Sequence, residues 1–181
     1  IEYRTSPTFQ QGWNAQPAGK RSTRDWATVE SALISAEEGG RVKLKWQGGD
    51  GDDRSWVDVT VTIKPGALDE DTEIFVALKN AETVQLRLEL AFGQHGTQFK
   101  IPAVVQVAAG GLALDDGNAW VDFYWFDPET ETWQAVPRDE KKFLVNYESG
   151  SVRGEWYFRH FSRYSLSRGT KENCCWGYIP Y

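Results

Sequence analysis

Arg41-Val42-Lys43-Leu44-Lys45-Trp46, followed beyond a loop by Val57-Asp58-Val59-Thr60-Val61-Thr62-Ile63-Lys64, alternates polar with apolar side chains in both runs. Val42, Leu44 and Trp46 face one way, and Arg41, Lys43 and Lys45 the other. Val57, Val59, Val61 and Ile63 alternate in the same manner against Asp58, Thr60, Thr62 and Lys64. Successive side chains of an extended chain point to opposite faces, so a period of two marks a half-buried strand. The two runs flank Gly48-Gly49-Asp50-Gly51-Asp52-Asp53 and read as a hairpin. Three aspartates in that loop invite calcium, which takes carboxylate oxygens, but the spacing and terminal Glu of an EF-hand are missing. The loop therefore reads as a solvated turn.

Outward from the hairpin the same grammar continues. Lys64-Pro65-Gly66-Ala67-Leu68 is a tight turn, with Pro setting the backbone and Gly permitting the reversal. Further strands are predicted at Glu73 to Leu78, Val84 to Phe92, Phe99 to Ala108, Ala119 to Phe126, Trp133 to Val136, Phe143 to Tyr147 and Ser151 to Phe161. Strands this short and this regularly punctuated predict an all-β fold, an antiparallel β-sandwich. Trp120-Val121-Asp122-Phe123-Tyr124-Trp125-Phe126 is apolar on both faces apart from Asp122, as expected of a central strand. Exposed, the same aromatics would make a carbohydrate-binding platform, and core packing is the preferred reading.

Upstream of the hairpin, residues 28 to 38 read as a short helix or an irregular strand ending at Gly39-Gly40. Residues 1–27 are polar and lack a 3.6-residue period, so they are expected to form an extended N-terminal arm anchored by Tyr3, Phe9, Trp13 and Trp26. Such an arm packs on its own domain or adds a strand to a neighbour's sheet. The expected organisation is arm 1–27, β-sandwich 28–168 and a short C-terminal tail 169–181.

Composition narrows the function. A net charge of −6 disfavours nucleic acid as a partner, because phosphate binding needs a basic surface. The apolar runs are far short of a membrane span. The sequence holds no methionine, from which we expect that its beginning is missing, by signal-peptide removal, other processing or simple omission. Cys174 and Cys175 are adjacent, and no Cys-x-x-Cys pair exists. A vicinal disulfide, free thiols and a cross-link to another chain are all compatible with that spacing. Cross-linking would need an oxidising compartment, in keeping with an extracellular or cell-surface location. No metal-ligand cluster or cofactor motif is read, and no cofactor is expected.

Chemistry is hinted at in one place, Trp156-Tyr157-Phe158-Arg159-His160-Phe161-Ser162-Arg163-Tyr164-Ser165-Leu166. A Ser hydroxyl becomes a nucleophile when a base takes its proton, and His suits that role near neutral pH. Held in a twisted turn, Ser162 would attack the Phe161 carbonyl with His160 as base, and the resulting ester would hydrolyse. In one extended strand, by contrast, Trp156, Phe158, His160, Ser162, Tyr164 and Leu166 share a face, and His160 is a hydrogen-bonded core residue.

The order of landmarks resembles that of a ZU5 domain over roughly residues 30–168. The motifs are Gly39-Gly40, Val61-Thr62-Ile63-Lys64-Pro65-Gly66-Ala67-Leu68, Asp71-Thr72-Glu73-Ile74, Phe99-Lys100-Ile101-Pro102-Ala103-Val104, Trp125-Phe126-Asp127-Pro128 with Trp133, and His160-Phe161-Ser162-Arg163-Tyr164. The resemblance implies a β-sandwich used as an interaction or structural module, with a protein partner or self-association through a sheet edge or the arm. Some ZU5-type domains split between Phe and Ser of His-Phe-Ser while the pieces stay paired. Carried over, His160 would be the base, Phe161 the acyl donor and Ser162 the nucleophile. Arg159 or Arg163 would be the candidate oxyanion donor.

Overall fold

The computed structural model describes residues 26–49, 54–79, 87–93, 97–113, 120–127, 130, 132–161 and 163–169. The strands are β1 (Trp26–Ile34), β2 (Gly40–Gly48), β3 (Ser55–Ile63), β4 (Thr72–Lys79), β5 (Arg87–Gly93), β6 (Gln98–Gly110), β7 (Trp120–Asp127), β8 (Thr132–Ala135), β9 (Lys141–Asn146), β10 (Ser151–His160) and β11 (Arg163–Gly169). They form two antiparallel sheets, ordered β1-β4-β5-β11-β7-β8 and β2-β3-β6-β10-β9. The fold is thus an all-β sandwich, and no α-helix occurs among the described residues. The arm ahead of Trp26, the loop 50–53 with its aspartates, and Cys174 and Cys175 lie outside the described residues.

The hairpin that set the reading forms as expected. β2 pairs with β3 from Gly40↔Ile63 to Gly48↔Ser55. Ser55, Val57, Val59, Val61 and Ile63 are buried while their neighbours along β3 are half-buried. Each fully buried Val or Ile stabilises the fold by roughly 1.5–3 kcal/mol relative to exposure. The core lies between the sheets and is rich in rings: Phe123 of β7 stacks on Trp156 of β10 at 3.7 Å between centroids.

Of the two readings for residues 28 to 38, the strand is the one that forms, and no helix occurs there. These residues continue strand β1 to Ile34, because pairing with β4 from Trp26↔Lys79 to Ile34↔Thr72 supplies the backbone partners, and a turn over residues 36–38 follows. That turn closes on Gly39, at φ 71°, where any Cβ would overlap the Ile63 carbonyl. One expectation is corrected: residues 156 to 166 are not one strand. β10 ends at His160 in the five-stranded sheet, and β11 starts at Arg163 between β5 and β7 in the other.

Just before that break the pairing of β10 with β6 is irregular. Phe158 pairs with Ala103, but His160 pairs with Gln98, so several residues of β6 are accommodated opposite one residue of β10. Pro102, which has no N–H to offer a ladder, sits within this irregular stretch. The bulge shifts the alternation: Trp156 and Phe158 are buried, Arg159 and His160 are exposed, and Phe161 is buried again. His160 therefore does not share the core face of Trp156 and Phe158.

Candidate functional site

The junction from β10 to β11 is held from several sides. Phe161, 1% exposed, is locked in the core by Phe99 at 4.7 Å and Phe92 at 5.9 Å between ring centroids. Its backbone N–H donates to the Thr97 carbonyl at 3.1 Å. The preceding carbonyl, that of His160, accepts from the Tyr164 hydroxyl at 3.3 Å. Tyr164 is itself buried and stacks on Phe158 at 3.9 Å. Burial pushes its phenol far above the ordinary tyrosine range, so it stays a neutral donor.

The Pro65-Gly66-Ala67-Leu68 turn and the His160-Phe161 junction meet here through the start of β6. Ala67, in the Pro65-Gly66-Ala67-Leu68 turn, accepts a hydrogen bond from the Lys100 backbone N–H at 3.0 Å. Three residues earlier, Thr97 holds Phe161. The turn is anchored in its own right, since Ala67 and Leu68 are buried and the Gly66 N–H donates to the Ala36 carbonyl at 2.8 Å.

His160 stands at the surface end of this junction, with its ring 5.6 Å from that of Trp125. The residue as a whole is exposed, yet the ring is partly shielded from water. Burial lowers its pKa, and the nearby Glu140 partly opposes that shift. Burial thus favours the neutral imidazole, the form a general base requires. Ser162 lies outside the described residues, so of the three predicted site residues the structure places His160 and Phe161 side by side at the crossing. Arg159 is exposed on β10.

Sequence reading missed Thr97, Trp125 and Glu140 as neighbours of this junction. Nothing local signals them, because each arrives from a separate element. Tyr164 was within the motif, but its hydrogen bond across the turn follows from the strand crossing. No group of three or more His, Cys, Asp or Glu side chains among the described residues is placed to hold a metal ion.

A second feature lies on the outer face of the five-stranded sheet. In register across it run Lys45, Asp58, Ala108, Arg153 and Leu144, and beside them Lys43, Thr60, Gln106, Glu155 and Lys142. An open depression of about 570 Å³ lies over Ala108, whose short side chain leaves the space. Lys45 pairs with Asp58 at 3.0 Å, and Gln106 donates to Glu155 at 2.9 Å. The Tyr157 hydroxyl also donates to Glu155. These two hydrogen bonds, Tyr157's first, hold the Glu155 carboxyl below its ordinary value, and the same contact raises the Tyr157 phenol. Among the described residues, Arg41, Lys43 and Arg153 enter no ion pair. Of the aromatic side chains of β7, Phe123 and Tyr124 are buried, while Trp125 and Phe126 are half-buried.

Comparisons with family models, with curated proteins and with solved structures find no match to this chain.

Proposed function

We propose that this chain is a β-sandwich interaction module of ZU5 type, working outside the cell or at its surface and engaging a protein partner. The observation that carries this reading is the contrast between its two outer faces. The middle of the six-stranded sheet has outward residues as buried as its core, Ala77, Ala91 and Tyr124 being each at most 2% exposed, while Leu33 at its β1 edge is exposed. The five-stranded sheet turns Arg41, Lys43, Lys45, Lys142 and Arg153 outward against two carboxylates, Asp58 and Glu155, in a chain of net charge −6. A concentrated sign opposite to that of the whole molecule steers partners more than it stabilises the fold.

A photo-crosslinking residue placed at Lys45 or Leu144, in an extract of the native source, tests it. A recurrent protein adduct from these positions and none from the exposed turn position Lys64 is the expected result. Adducts from no position on this face would sink the module reading.

The clamped junction favours a second reading, self-cleavage between Phe161 and Ser162. Ser162 Oγ would attack the Phe161 carbonyl while His160 takes the hydroxyl proton and passes it to the departing Ser162 nitrogen. Water would then hydrolyse the ester, leaving a Phe161 carboxylate and a free Ser162 amine. The acyl side is fixed by Phe92, Phe99 and Thr97. β11 is hydrogen-bonded on both sides, to β5 and β7, so the released piece would stay in the sheet. Denaturing mass spectrometry after prolonged incubation should show two fragments, and Ser162→Ala should stay whole. An intact wild-type chain would remove this reading and leave the module untouched.

A further inference from the structure

We propose that β9 is a docking edge for an extended, acidic segment of a protein partner, which adds as a sixth strand to the five-stranded sheet. This rests on the reading of the chain as an interaction module and names where and what it binds.

The two margins of the sandwich differ. At one, β1 and β2 follow each other through the Ser35–Gly39 turn and pack together, so the core is closed there. At the other, no comparable packing joins β8 to β9 among the described residues. β9 is paired with β10 on one side, from Lys141↔Trp156 to Asn146↔Ser151, and among the described residues no strand pairs with its other side. Its inward residues Phe143 and Val145 reach the core yet remain half-buried, and outward Leu144 is 79% exposed. An unfinished apolar margin beside open backbone N–H and C=O groups is the situation that strand addition completes.

The chemistry of the added strand follows from its neighbours. Lysines on a sheet edge discourage indiscriminate pairing, because burying or opposing their charge is unfavourable. Lys142 is exposed on the outer face of β9, and Arg153 is in register with Leu144 one strand further in. A segment with carboxylates facing this outer surface removes the penalty, since opposite charges pair favourably across strands. An apolar residue opposite Leu144 removes that side chain from water. The match is therefore an extended stretch in which acidic and apolar residues alternate on one face. A sulfated glycan would answer the charge but leave Leu144 and the backbone edge unused.

The test uses the full chain and a labelled synthetic peptide of alternating Glu and Val with a central Leu, followed by fluorescence anisotropy. Saturable binding is expected, weakened by added salt. The same peptide with alternate backbone nitrogens methylated on its pairing edge keeps its charge and loses its donors, and should bind about tenfold more weakly or worse. Lys142→Glu should lose roughly tenfold, and Leu144→Ser about two- to fivefold. Both substitutions fall on exposed side chains. Equal binding of the methylated peptide, displacement by a heparin oligosaccharide as effective as by unlabelled peptide, or no binding at all would each overturn the proposal. Self-association that Lys142→Glu abolishes would assign the edge to a second copy instead, and would equally overturn it. If crosslinks form from Lys45 while the peptide fails at β9, the docking edge falls and the module reading stands.

Discussion

On the five-stranded sheet the side chains turned away from the core are Lys43, Lys45, Asp58, Thr60, Gln106, Arg153 and Glu155; on the six-stranded sheet they include Phe75, Ala77, Glu89, Ala91 and Tyr124. Both sets sit on the same pleat, one residue out of phase with a hydrophobic interior. The first set meets water. Apart from half-buried Phe75, the second is as dry as the interior, with even Glu89 only 1% exposed. A sheet buried on both sides contributes to stability through both, whereas one buried on a single side leaves the other free to evolve for contact with partners. That difference is why the open face, and not the covered one, is where a binding role is sought.

The comparison can be broken by introducing the same change on both faces. Ala91→Asp should destabilise the fold by about 3 kcal/mol or more, since it forces a carboxylate into a dry site. Ala108→Asp, half-buried on the opposite outer face, should stay within about 1 kcal/mol. Urea denaturation of the pair measures this, and equal losses would show that the faces are not distinct. The junction between the sheets gives a smaller effect. Tyr164→Phe removes the hydroxyl that holds the His160 carbonyl and should lose about 0.5–1 kcal/mol by the same measurement, with no loss of ring packing.

Acid titration sharpens the contrast further. His160 has its pKa lowered in the folded chain, so the unfolded chain binds the proton more readily. The neutral-histidine contribution is present above the ordinary histidine pKa and is lost as pH falls through it towards the lower folded value. His160→Gln should flatten the fall in melting temperature between pH 7 and pH 5; an unchanged slope would place the acid sensitivity elsewhere. The smallest effect belongs to the open face. Asp58→Ala breaks the Lys45–Asp58 pair, whose side chains are 75% and 37% exposed, and should change stability by no more than about 0.5 kcal/mol. A larger loss would mean that the face is a structural surface rather than a presented one.

Legibility followed burial. The β2–β3 hairpin was readable because outward Lys, Asp and Thr alternate with inward Val, Leu and Ile. β7 was recognisable as internal because Phe123-Tyr124-Trp125-Phe126 shows no polar face, and it does lie between β11 and β8. β1 was harder: Glu30, Ser31, Ala32 and Leu33 carry no clean period, and the strand exists because β4 offers it partners. The candidate site was half legible. Its His-Phe-Ser motif could be named from residues 160–162, but the alternation carried straight through it and put His160 on the wrong face.

By itself the sequence determined the fold class, most strand positions and the two motifs that converge on Phe161, because side-chain alternation and turn chemistry act over a few residues. Tertiary structure alone decided that the last aromatic ribbon divides between two sheets, that Thr97 and Tyr164 secure the division, and that the cationic positions of β2, β9 and β10 gather on one open face. Those outcomes depend on register between strands far apart in the chain. A shift of one residue in such pairing exchanges inside for outside, and no local pattern records it.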